Sequence, residues 1–144
     1  MKISASYWIF EGGLEGTLPV TSAMEQARQL GFDAIELGIA SQGVLTHKTT
    51  KAECESILGE ANKKGLEISG VASGESWTNS PTATDVKVRE TILDFTKKAL
   101  QVTQWLGTDA YLFVPGAVDV FFMPEAEVIP YDVCYKRAKE GISR

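Results

Sequence analysis

The chain has 144 residues, 44% of them hydrophobic and 23% charged, with a net charge of −5 and a pI near 4.9. That is enough chain for one domain with a real core, and the acidic balance excludes the basic stripe of a nucleic-acid groove and docking on an anionic membrane. No apolar run approaches the roughly 18 residues of a membrane span, and residues 1–10 lack the apolar stretch of a signal peptide. A neutral or phosphorylated small molecule remains compatible with this charge.

In chain order the periodicities predict a strand at about 2–10, a helix at 19–30, a strand at 33–39, a helix at 51–64, a strand at 66–72, a helix at 85–106, a strand at 109–115 and a helix at 130–144. One piece of grammar repeats. Leu30-Gly31-Phe32-Asp33, Lys64-Gly65-Leu66-Glu67 and Leu106-Gly107-Thr108-Asp109 each precede a short apolar run. Each glycine is the residue that closes a helix in the left-handed conformation. The runs are short and β-rich, as strands covered on both faces are. Ser22 to Glu25 and Thr50 to Glu53 have the spacing of capping boxes, and Asp85 is the expected cap of the third helix. Cys54, Ile57, Leu58 and Ala61 form one stripe on the second helix, and Val88, Ile92, Phe95, Ala99, Val102 and Leu106 one stripe on the third. Strict alternation implies right-handed crossovers and a parallel sheet, a single (β/α)4 unit over 1–144.

In such folds chemistry gathers on the loops after the strands. Here those loops, 11–17, 40–48, 73–81 and 116–125, are long, whereas the returns from helix to strand are short. Glu36 is a carboxylate in an otherwise apolar strand; it either points into a barrel mouth or is held by backbone amides. His47 is the only histidine and sits in a polar loop, so a His-based metal cluster has no second member. Tyr7, Trp8 and Phe10 end the first strand, and Trp77, Phe121 and Phe122 lie in later loops. Aromatic rims suit the C–H faces of sugar rings, and they suit ordinary packing equally. Ser73, Ser76, Asn79 and Ser80 are hydroxyl donors or turn residues. Asp119 and Glu125 read as solvated loop acids. Glu11-Gly12-Gly13-Leu14-Glu15-Gly16 has the wrong spacing and charge for a dinucleotide loop. Cys54 and Cys134, without CxxC spacing, read as reduced thiols of a cytoplasmic protein.

Ile3-Ser4-Ala5-Ser6-Tyr7-Trp8, Leu30-Gly31-Phe32-Asp33-Ala34-Ile35-Glu36-Leu37, Gly65-Leu66-Glu67-Ile68-Ser69-Gly70, Asn79-Ser80-Pro81 before a long helix, Leu106-Gly107-Thr108-Asp109 and Val114-Pro115-Gly116 together resemble the sugar phosphate isomerase/epimerase superfamily. The resemblance runs along the whole chain, in order, and within the superfamily it is greatest to the ketose 3-epimerases and the ribulose/xylulose-phosphate 3-epimerases. It implies the N-terminal half of a xylose isomerase-like (β/α)8 TIM barrel, whose complete form has eight strands and about 250 residues. It also implies a divalent metal (Mn, Mg or Co) in the complete barrel, held by two glutamates, an aspartate and a histidine of the C-terminal half. The two glutamates there move the substrate's α-proton through a cis-enediolate. None of those four maps onto this chain, so the chain alone is expected to hold no metal and to be inactive.

What maps is a substrate wall: Tyr7, Trp8, Glu36, Ser73 with Gly74, Pro115 with Gly116, and the Phe121-Phe122 loop. Trp77 joins it as a rim aromatic. The implied ligand is a sugar or sugar phosphate, and the implied partner is a missing C-terminal half or another copy of the chain. The competing architecture is a stand-alone flavodoxin-like (β/α)4 binding domain with helices on both sides of the sheet.

Overall fold

The computed structural model describes all residues, Met1–Arg144. Its strands are β1 (Ser4–Ser6), β2 (Ala34–Gly38), β3 (Glu67–Ala72) and β4 (Tyr111–Leu112). Its helices are α1 (Val20–Gln29), α2 (Lys51–Lys63), α3 (Glu75–Thr78), α4 (Val86–Trp105) and α5 (Tyr131–Ile142). A 3-10 turn, Tyr7–Ile9, follows β1. All strand pairs are parallel, and the order is β1-β2-β3-β4. That sequential order is the order of a barrel wall. A flavodoxin-like sheet steps back across its first strand to give order 2-1-3-4, so the doubly wound alternative is overturned.

The closing glycines behave as their spacing predicts. Gly31, Gly65 and Gly107 have φ of 85°, 63° and 81°. At each, two hydrogen bonds close the helix in the Schellman pattern; at Gly65 they run from Gly65 N–H to the Asn62 carbonyl and from Leu66 N–H to the Ala61 carbonyl, both 3.0 Å. Thr50 and Glu53 form both halves of the capping box of α2. Asp85 Oδ1 accepts from Lys87 N–H at 2.8 Å, capping α4. The first helix departs from expectation. It starts at Val20 with Pro19 as its cap, the Pro19 carbonyl accepting from Ser22 and Ala23 N–H, so Ser22 lies inside the helix rather than capping it.

The outer strands are shorter than predicted. The chain leaves β1 at Tyr7 because the 3-10 turn folds it back: Phe10 N–H reaches the Tyr7 carbonyl and Gly13 N–H the Phe10 carbonyl at 2.9 Å. Gly13 is packed so tightly that a Cβ there would stand 2.1 Å from the Tyr7 carbonyl oxygen. β4 pairs through two residues only.

The chain forms two compact units, Met1–Ser73 with Lys98–Leu112, and Gly74–Lys97 with Phe113–Arg144. In the first, α1 packs on β2 and on α2, and α2 packs on β3. Ala5, Ile35, Leu37 and Val71 alternate onto one sheet face and are nearly solvent-free, with Met24, Ala27, Cys54 and Ala61 buried on α1 and α2. Ser4, Ser6, Glu36 and Ser69 lie on the opposite face, exposed or half-buried. In the second unit Ile92, Leu93, Phe95, Val120, Ile129, Cys134 and Thr82 are buried. No helix is long and apolar enough to cross a membrane.

Candidate functional site

Parallel register puts Ser6 beside Glu36, and Glu36 beside Gly70. Residues so paired present their side chains on the same face. Ser6 Oγ donates to Glu36 Oε1 at 3.0 Å, both residues being half-buried. A bulge between Ile35 and Glu36 gives β3 an extra residue there. Ser69, at that bulge, shares a hydroxyl–hydroxyl bond of 2.7 Å with Ser4. The open face of this sheet is therefore polar, where a closed barrel interior is usually filled with branched apolar side chains.

Beside Glu36 on the same strand face, Gly38 has no side chain because the rings of the 3-10 turn occupy the space. A Cβ on Gly38 would lie 2.9 Å from Tyr7 Cδ1 and 3.0 Å from Trp8 Nε1. Trp8 is half-buried at this spot. Tyr7 is 2% exposed, and its hydroxyl donates to the Leu18 carbonyl at 2.5 Å. Burial pushes the Tyr7 hydroxyl's pKa up. Tyr7 is thus a strut beneath the first loop, whereas Trp8 and Glu36 present surface. Ser73 is buried just beyond β3, and His47 is half-buried in the loop after β2.

The second unit gathers Trp77 and Phe121 with Phe122. Trp77 stands on α3, a short helix in a segment that reads as loop from sequence. Its ring meets Phe122 edge-on at 5.3 Å, and Phe122 meets Phe121 edge-on at 5.2 Å. Phe121 is 91% exposed. Trp77 also lines a cleft of about 300 Å³ whose floor includes Ala83, Val88, Val120 and Met123, with Asp85, Glu125 and Glu127 among its lining residues. Asp85 is engaged as the α4 cap, and Glu127 Oε2 accepts from Thr84 N–H at 2.9 Å. The Thr84 hydroxyl and N–H hold the Glu127 carboxyl below its usual range. Pro115 is half-buried in the loop after β4.

Sequence reasoning missed Thr82. It is fully buried, and its hydroxyl meets Ser80 Oγ at 2.9 Å, the Ala117 carbonyl at 3.5 Å and Cys134 Sγ at 3.6 Å. Arg137 of α5 donates to the Thr82 carbonyl at 2.8 Å. Ser80 is thereby spent on its own turn, and Ser76 is buried. The only signal in the sequence is a threonine following proline in a polar run, which does not announce a hub.

No three side chains among His, Cys, Asp and Glu are grouped so that they could hold a metal ion. These residues do not fit the metal that the resemblance implies. What they can do is accept and donate hydrogen bonds at Glu36 and Ser6 and offer ring faces at Trp8, Trp77 and Phe121.

Four sequential parallel strands with covering helices define one half of an eight-stranded (β/α)8 wall. Residues 24–144 match the xylose isomerase-like TIM barrel family, and the chain belongs to it. A crystal structure of D-psicose 3-epimerase in the presence of D-fructose superposes with a TM-score of 0.71 at 22% identity, covering 99% of this chain and 46% of that one. The D-psicose 3-epimerase of Clostridium cellulolyticum H10 with D-tagatose gives 0.70 at 15% identity with the same coverage. The chain thus spans about half the length of these structures, corresponding to the N-terminal half. A comparison with curated proteins matches none.

Proposed function

We propose that this chain is the N-terminal half of a sugar or sugar-phosphate isomerase or epimerase that moves a proton beside a carbonyl through a cis-enediolate. The observation supporting this reading is the match of 99% of the chain to one half of a ketose 3-epimerase fold. The chain's part is to bind and orient: in the first unit Glu36 accepts a sugar hydroxyl and Trp8 packs against the C–H surface. The proton-moving groups and a divalent metal (Mn, Mg or Co) belong to residues that this chain does not contain. A C-terminal half, in the same polypeptide or supplied by a partner, completes the site.

The test uses the protein at its native length, incubated in D2O with Mn and with D-fructose, D-tagatose or their phosphates. An enediolate mechanism puts solvent deuterium on the carbon beside the carbonyl and forms the epimer or isomer, both visible by NMR. Chelation with EDTA is expected to stop both. Absence of deuterium uptake in every ketose and ketose phosphate tried, with metal present, refutes the reading.

A further inference from the structure

We infer that Glu36 sets substrate specificity by accepting a hydroxyl of a neutral sugar, and that Ser6 is the positioning residue that aims it. The inference rests on the proposed function and adds the acceptor, its aim and the chemistry it selects.

A glutamate on a bare sheet face is a poor recognition group. Its side chain turns about several bonds, and ordering it costs entropy that the ligand must repay. Here that cost is met before binding. Ser6 stands beside Glu36 in register on β1, and its hydroxyl is 3.0 Å from Oε1. A serine hydroxyl has a single proton to give, and a carboxylate is acceptor-only with about four lone-pair sites. One oxygen is therefore held by the protein, which leaves Oε2 to receive a donor from the ligand.

Two of Glu36's neighbours on this face carry no side chain. Glu36's register partner on β3 is Gly70, and the next residue on its own strand face is Gly38. Neither puts a side chain over the carboxylate. The indole of Trp8 sets its Nε1–Cδ1 edge against Gly38, the next residue on Glu36's strand face. A carboxylate beside an aromatic ring, on a floor of glycines and serines, matches one chemistry. It suits a ligand with adjacent hydroxyls on an apolar carbon skeleton. It repels a phosphate or a carboxylate. The anionic end of a sugar phosphate does not bind here.

An acceptor held in one direction also discriminates between epimers. The wrong epimer turns its hydroxyl away and leaves the carboxylate unpaired, and sites built to bond a hydroxyl reject analogues that cannot supply it.

The experiment is steady-state kinetics and D-fructose titration on the native-length protein with Glu36→Gln, Ser6→Ala and Ser6→Thr, with melting curves as the check on folding. Glu36→Gln is expected to raise KM about tenfold and to change kcat by less than about threefold, because a bond to a charged acceptor is weakened in ground and transition states alike. Ser6→Ala is expected to raise KM several-fold, Ser6→Thr to restore it, and Ser6→Ala to add little on top of Glu36→Gln. A wild-type protein that turns over no ketose refutes the proposed function and this inference with it. A wild-type protein that is active, with KM within about twofold for folded Glu36→Gln or Ser6→Ala, overturns this inference alone. A loss confined to kcat overturns it as well, because it would make Glu36 a reacting group. Should Glu36→Gln fail to fold, the Ser6→Ala and Ser6→Thr pair decides: equal KM values in the two overturn the inference.

Discussion

Tyr7 shows how a residue's chemistry is decided by where its one polar atom goes. The ring is sealed in the first unit and the hydroxyl bonds the Leu18 carbonyl. Tyr7→Phe keeps the packing but strands that carbonyl, and is expected to cost about 1–2 kcal/mol in urea denaturation. Thr82→Val strands the partners of a buried hydroxyl in the second unit and is expected to cost about 1–3 kcal/mol. Burial, reinforced by the neighbouring Glu53 carboxylate, pushes the Cys54 thiol up to about 11. At pH 8 it is therefore protonated, and alkylation of the native protein at Cys54 is expected to be far slower than after unfolding. At this scale the sequence is uneven. Thr50 and Asp85 were legible as caps because the cap pattern is local. Thr82 was not, because its importance comes from Ala117, Cys134 and Arg137, distant in the chain and close only in the fold.

Helix ends are the most legible elements, and they carry the clearest stability predictions. A Cβ on Gly65 meets nothing within 4 Å, so Gly65→Ala isolates the cost of a left-handed φ, expected at about 1–2 kcal/mol. Thr50→Ala removes a cap at about 1 kcal/mol. The other half of that box brings a pH dependence. The Thr50 hydroxyl and N–H hold the Glu53 carboxyl below its usual range. A depressed carboxylate contributes stability above its unfolded value of about 4.3, and that contribution is lost as pH falls through the lower folded value. Glu53→Gln is expected to flatten the stability curve across that acid window, measured as urea midpoints at successive pH values. Strand ends were less legible. Tyr7, Trp8 and Ile9 have strand-like side chains, yet they make a 3-10 turn because the backbone must fold back over Gly13. Trp77's short helix was hidden because four residues carry no periodicity.

Across the molecule, the parallel sheet was readable from the repeated glycine grammar, because each helix-to-strand return is short and each crossover has one favoured hand, whereas the sequential strand order was implied by the family resemblance alone. The division into two units was not readable, since it depends on which distant segments pack together. β1 and β4 each have a single neighbour in the sheet, so each offers unpaired backbone groups. The 144-residue chain on its own is therefore expected to self-associate with rising concentration in sedimentation runs, and strictly monomeric behaviour would show those edges to be covered. Amide exchange is expected to be slowest in β2 and β3, which are paired on both sides.

The extra residue in β3 decides which change of length that strand can absorb. The register beyond it is counted from Ser69, and a strand's two faces differ by one step. Deleting Ser69 would make the ladder regular, with Gly70 still opposite Glu36 and the buried Val71 still opposite Leu37, whereas inserting a residue there would turn the far end of the strand over. Loops such as 116–125 can gain or lose residues without that penalty. In descendants of this gene, insertions should therefore collect in the loops and spare β3, whereas loss of a single residue at its bulge is tolerated.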